Sequence, residues 1–529
     1  MESDSRANVE FKKNNRFSFL PFDPILASSK DESLPMAGEF YICPGKVNGS
    51  AKFPTNHSSA QNFSRKNADK IRHLLCRASF GVNVDEMQSL GSLSTNEVVD
   101  ELLTETELPV PPGEWVSEPF DRQAYRNMTR EERQAWRRQN RQRINELRAW
   151  WVELMTSSPL NLNEKMTLFW HGHFTTDFRS AQFAQFLYIQ NDTLRRNALG
   201  NFGTFLKEIY KDPAMLLYLN GVQNRAQQPN ENFARELLEL FTIGVGNYTE
   251  QDIKEGARAL TGWQINEREL KPFLNQRRYD DGVKIFLGQT GNFTADDIID
   301  IILEQPQTAK FICRKFYEFF ISREVNEGFI TELAETFRSN SYEIKPVLEK
   351  LFTSDLFYSN QAVASLIKSP VDMAITNARM LSVDSIDLRY LLNATRDLNQ
   401  ELLNPPNVAG WPGQRDWISP TTYVTRNTFS ETYVNGGLYQ NPNSRRSPIE
   451  FDPLAFAKSF NIQEVTELAE AMATHLLALP VQQQNMDFLV SVLLGSAEPG
   501  DWSLDYPGAD RLVTEFLIQL LRLPEFHLN

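Results

Sequence analysis

The chain has 529 residues, 41% apolar and 23% charged, the balance of a folded globular protein with room for one large domain or two to three ordinary ones. Its net charge of −14 disfavours a general role on nucleic-acid backbones, which need Lys and Arg to displace counterions. No apolar run approaches the roughly 20 residues that span a bilayer, so no transmembrane segment is expected, and no signal peptide is visible in the opening residues, which lack its apolar stretch.

Residues 1–62 are rich in Ser, Asn, Lys and Pro without a sustained apolar period, which predicts an extended or disordered arm. From Lys66 onward the pattern is helical, and residues 63–529 read as one helical domain, with a C-terminal helical subdomain from about 425 as an option. Ile71, Leu74, Leu75 and Ala78 recur at helical spacing until Phe80-Gly81. Cys43, Cys76 and Cys313 have no zinc-knuckle or redox spacing, so Cys76 and Cys313 are expected as buried free thiols.

Residues 121–150 hold nine arginines against four acids. A solvated helix accounts for them better than a polyanion patch, because Ile144, Leu147 and Trp151 supply an inward face. Ser158-Pro159 is a start signal for the next helix, and Asn161 with Glu164 is an alternative start. That helix leads into Trp170-His171-Gly172-His173-Phe174, which places two of six histidines one residue apart.

Residues two apart on an α-helix lie roughly 200° around the axis, so His171 and His173 can share a metal only if the helix ends at Gly172. Neutral imidazole suits a divalent transition metal. The alternative is that one His caps the last carbonyls while the other packs beside Trp170 and Phe174.

Next comes Asn230 to Glu239. Taken as an α-helix, Glu231, Asn232, Arg235, Glu236 and Glu239 fall in one polar stripe roughly 140° wide. An acid/base site or a salt-bridged surface helix explains the stripe equally well. Thr249 and Asp252 then start a helix that ends at Gly262, and Glu255 with Arg258 sit one turn apart on it. The helical pattern lapses between 264 and 292, where Tyr279-Asp280-Asp281-Gly282 reads as a turn and Val283–Leu287 as a strand.

Helices resume at Ala295 and include the run Phe311, Phe316, Phe319 and Phe320. Residues 404–450 read as loop. Within them, Asn404 to Gly413 combines prolines, glycines and Trp411, which suits either stacking on a flat ligand such as a sugar ring or a packed connector. Two or three helices close the chain, the last near 508–522. The fold class expected is all-α, mainly helical, with at most a short β-hairpin near 277–288.

In this order the segments His73 to Gly81, Glu164 to Phe174, Asn230 to Trp263, Gly282 to Gly288 and Asn404 to Gly413 resemble the bacterial family known as domain of unknown function 1800. The resemblance runs from about residue 66 to the C-terminus. It implies a large, helix-rich protein of a family often exported to the periplasm or cell surface. Its genes commonly sit beside those of a second family, number 1501, which looks like the phosphatase/sulfatase group.

One departure stands out: members often carry His-Asp where this chain has Tyr279-Asp280-Asp281 before Gly282. The resemblance adds weight to one site in which His171 and His173 bind metal, Glu236, Glu239 and Arg235 are catalytic, and His73, Trp411 and Asn407 contact substrate. The function this suggests is a metal-dependent hydrolase or lyase acting on an envelope or extracellular polymer such as a polysaccharide. The alternative is a non-catalytic binding or assembly protein for a phosphatase/sulfatase-like partner of family 1501.

Overall fold

Side-chain caps start most of the helices. Asn83 with Glu86, Ser94 with Glu97, Thr249 with Asp252 and Thr294 with Asp297 form reciprocal capping boxes, each satisfying otherwise orphaned backbone N–H groups. These features belong to a computed structural model that describes residues 59–157, 160–436 and 449–529. Most of the N-terminal arm, Cys43, and Ser158-Pro159 lie outside the described residues. Asn161 caps the helix Leu162–His173 by accepting from Glu164 N.

The fold is mainly α-helical, with 23 α-helices and three two-stranded antiparallel sheets among the described residues. Those residues fall within one compact unit, Ser58–Asn529. No helix in them is long and apolar enough to cross a membrane. The helix Arg130–Ser157 buries Ile144, Leu147, Trp151, Val152 and Met155 and leaves Arg137, Arg138 and Arg141 exposed, which is the solvated-face reading. Arg148 is the exception: it is buried, bonded to Leu402 O at 2.8 Å and paired with Glu401 at 2.9 Å. Cys313 is buried and Cys76 half-buried, both free.

Three sequence expectations change. Two hairpins replace one: Trp263–Asn266 pairs with Lys271–Leu274, and Lys284–Phe286 pairs with Gln289–Gly291. The second turns at Leu287-Gly288, both at positive φ, so the hairpin bend follows the strand and the Asp-Asp-Gly turn precedes it. A further short pair joins Ser385–Ile386 to Ile449–Glu450. The expected loop at 404–450 contains the helix Pro420–Asn435, where Ser419 and Thr422 cap the start and Phe429 and Tyr433, one turn apart, are buried. The helix begun by Thr249 stops at Ala259, short of Gly262.

Two apolar cores form. One gathers Trp170, Phe174, Phe202, Phe205, Phe241, Phe316 and Phe337. The other gathers Trp151, Phe186, Val371, Tyr433 and Phe516, mixing residues from before and after position 425. The helix Leu162–His173 serves both, with Met166, Phe169 and Trp170 in the first and Leu168 in the second. Each fully buried aromatic side chain is worth roughly 2–3 kcal/mol of transfer free energy, so this helix is held from two sides.

Candidate functional site

Charge enters this helix in its first turn, at Glu164 and Lys165, and both are buried. Glu164 accepts a forked pair from Arg195, whose Nη2 lies 2.9 Å from Oε2, and a bond from Trp151 Nε1 at 2.8 Å. Lys165 pairs with Asp372, donates to Ser79 O at 3.1 Å and sits over the Phe80 ring at 4.9 Å. Buried charge is stable only when paired and bonded in this way.

Two turns later Gly172 does not end the helix, which runs through His173. The two imidazoles therefore stay helical and take separate partners. His171 Nε2 accepts from Leu403 N at 3.1 Å, while its ring meets Trp151 edge-on and lies 5.4 Å from Trp411. That bond fixes His171 with its proton on Nδ1, so neither nitrogen has a free lone pair. His173 Nε2 donates to Phe241 O at 3.0 Å, which leaves Nδ1 as its unprotonated nitrogen.

Burial holds both rings at pKa values of about 3, helped by Arg148 at His171 and by Lys315 at His173. Both are neutral at pH 7. The donor set does not fit a metal shared by the two histidines. Among the described residues, no group of three or more His, Cys, Asp or Glu side chains is placed to hold a metal ion.

The carboxylate helix departs from α geometry where it matters. Asn232–Glu236 is α-helical, but Leu237–Thr242 is a π turn, with Ile243 N bonded to Leu238 O at 3.1 Å. A π turn advances the chain by roughly 80° per residue instead of 100°, so the polar stripe splits. Arg235 stays at the surface, bonded to Glu250 through two 2.9 Å contacts and to Glu231 at 3.3 Å. Glu236 is half-buried, its carboxyl pushed up by burial and then by Glu239, with Arg235 opposing. Glu239, close enough to Glu236 to help raise it, accepts from Tyr248 Oη at 2.8 Å.

A cavity of about 440 Å³ opens beside Glu239 and His173. Its wall includes Lys165, Phe169 and Gly172 from the central helix, Phe311, Lys315 and Phe319 from the helix Pro306–Phe320, and Trp411 and Trp417 from the Pro/Gly loop. That loop is pinned by Thr175 Oγ1 to Val408 O at 2.8 Å and by Arg323 Nη2 to Pro412 O at 3.0 Å. Gly410, at φ +82°, presses so closely on the helix that a Cβ there would collide with the Gly172 carbonyl oxygen. This close approach seats Trp411 over Gly172.

Of the residues expected to form one site, His173, Glu239 and Trp411 share this cavity. His171 is buried behind it as the anchor of Leu403. Glu236 and Arg235 lie off it. His73 donates to Phe357 O at 3.0 Å and packs at a tilt against the Phe357 ring, outside the cavity lining. Asn407 is exposed and closes its own turn, accepting from Ala409 N at 2.9 Å.

Sequence reasoning missed Lys315, Arg323, Asp372 and Gln400 in the wall. One signal was available: Phe311, Lys315 and Phe319 are spaced by four, which sets a lysine inside an aromatic stripe. Asp372 and Gln400 reach the site through tertiary packing alone.

A family model described as "Protein of unknown function (DUF1800)" matches residues 73–528, most of the chain. No curated protein and no solved structure matches it.

Proposed function

The chain belongs to the DUF1800 family of proteins of unknown function, and from that premise we propose that the cavity binds a saccharide segment of an envelope or extracellular polymer and supports its hydrolysis. The observation that carries this reading is the cavity wall, where two tryptophans and three phenylalanines stand beside three carboxylates, one imidazole, two ammonium groups and two guanidiniums. Aromatic faces with a few placed polar groups suit a sugar ring. Glu239, oriented by Tyr248, is the general base: it takes a proton from water as the water adds to the anomeric carbon. The glycosidic C–O bond breaks as solvent water protonates the departing oxygen, and Glu239 then returns its proton to solvent, so that water is added across the bond. His173 is neutral and offers Nδ1 as an acceptor. No step runs through a metal.

The test is release of reducing ends from a panel of neutral and acidic bacterial polysaccharides. Glu239→Gln keeps the shape and should lower turnover by roughly 10²–10⁴-fold with unchanged thermal stability. Equal turnover in the variant would remove Glu239 from the chemistry. A second reading, a non-catalytic assembly protein, draws on exposed apolar Phe273, Val283 and Ile285 on the two hairpins. It gains if no polysaccharide is cleaved and Phe273→Ser abolishes capture of a family 1501 protein.

A further inference from the structure

The charges around the cavity do not cancel one another. Asp372 is taken by Lys165, and Glu318 by Arg323 at 3.2 Å. Arg77 spends its guanidinium on backbone oxygens, with Phe320 O at 2.8 Å, Ile321 O at 3.1 Å and Asn529 O at 2.8 Å. Glu239 has the Tyr248 hydroxyl. Lys315 is left over. Its ammonium group makes no hydrogen bond or ion pair with any described residue and lies 5.4 Å from the centre of the Phe311 ring.

We infer that the occupant of the cavity carries an anionic substituent, a carboxylate or a sulfate on the sugar, and that Lys315 is the residue that binds it. The inference rests on the saccharide reading above and narrows it to acidic saccharides. The reason is energetic. A half-buried ammonium with no ion-pair or hydrogen-bond partner is costly, and a ligand anion would offset that cost while gaining a charge-assisted hydrogen bond. Burial already pulls the Lys315 pKa down, with Glu318 opposing and Arg323 adding to the effect, which is the signature of a cation short of partners. The same cation helps keep His173 neutral. The surrounding protein is strongly acidic overall, so a locally unpaired cation is selective rather than part of a general positive field.

The experiment is calorimetric binding of three probes to the full chain: hexagalacturonate, its fully methyl-esterified form, and a sulfated hexasaccharide. The acid or the sulfate should bind on the order of tenfold or more tighter than the neutral ester, weakening as salt rises. Lys315→Gln should erase the preference, and Lys315→Arg should keep most of it. Should Lys315→Gln fail to fold, the ester comparison on the unaltered protein still decides. Equal binding of acid, sulfate and ester, lost in Trp411→Ala, would overturn the anion inference and leave the saccharide reading standing. Binding of no probe would overturn both.

Discussion

Lowering the pH from 7 to 5.5 should remove several kcal/mol of folding stability, well before most carboxylates titrate. His171, His173, His475 and His527 are all buried, and burial holds them at pKa values of about 3, 3, 4 and 3, against 6.5 when unfolded. With folded values depressed, the unfolded chain binds more protons than the native one across that window. Stability is therefore complete above the unfolded value and falls as pH drops below it. Each group loses about 1 kcal/mol over this range, and about 1.4 kcal/mol per further pH unit.

Asp212 opposes them. Burial pushes its carboxyl up to about 7, so it favours the fold as pH falls and returns roughly 1–2 kcal/mol. His73, likewise lowered by burial to about 3, adds to the loss, and the net is about 4 kcal/mol, a large share of the 5–15 kcal/mol usual for a folded domain. Urea denaturation at pH 7, 6.2 and 5.5 checks it. A flat profile across those values would mean the histidines gain protons without unfolding.

Glu164→Gln should cost about 3–5 kcal/mol, because it leaves the Arg195 guanidinium buried without its counter-charge. Side-chain exposure is 1% for Arg195 and 7% for Glu164, so water cannot compensate. Arg195→Met should cost a similar amount by stranding the carboxylate, although Trp151 Nε1 still donates to it. The double variant should be less destabilised than the sum of the two, since neither charge is then left alone. A Glu164→Gln penalty under about 1 kcal/mol, read from denaturation midpoints, would show that the pair is solvated.

Much of the fold was legible because its signals are local. Cap residues marked the helices that start at Asn161 and Thr249, and the arginine-rich helix showed its inward face through Ile144, Leu147 and Trp151. The hairpin turn at Leu287-Gly288 was harder to place, since Leu is a poor marker of positive φ.

The site was half legible. His173, Glu239 and Trp411 were named from local motifs, but that Glu239 lines the cavity while Arg235 does not is set by tertiary packing around the π turn. Lys165 and Asp372 are 207 positions apart, and no periodicity links them. Likewise nothing in the Pro/Gly loop announces that Gly410 presses on Gly172, or that His171 holds Leu403 instead of facing a ligand.

A saccharide bound in the cavity under Trp411 should lose its grip when that ring is removed. Isothermal titration of the unaltered chain and of Trp411→Ala with neutral and acidic hexasaccharides tests it most directly. Saturable binding by at least one saccharide, weakened roughly tenfold or more by Trp411→Ala at unchanged thermal stability, is the predicted result. Binding that survives Trp411→Ala intact, or no binding by any saccharide, would contradict it.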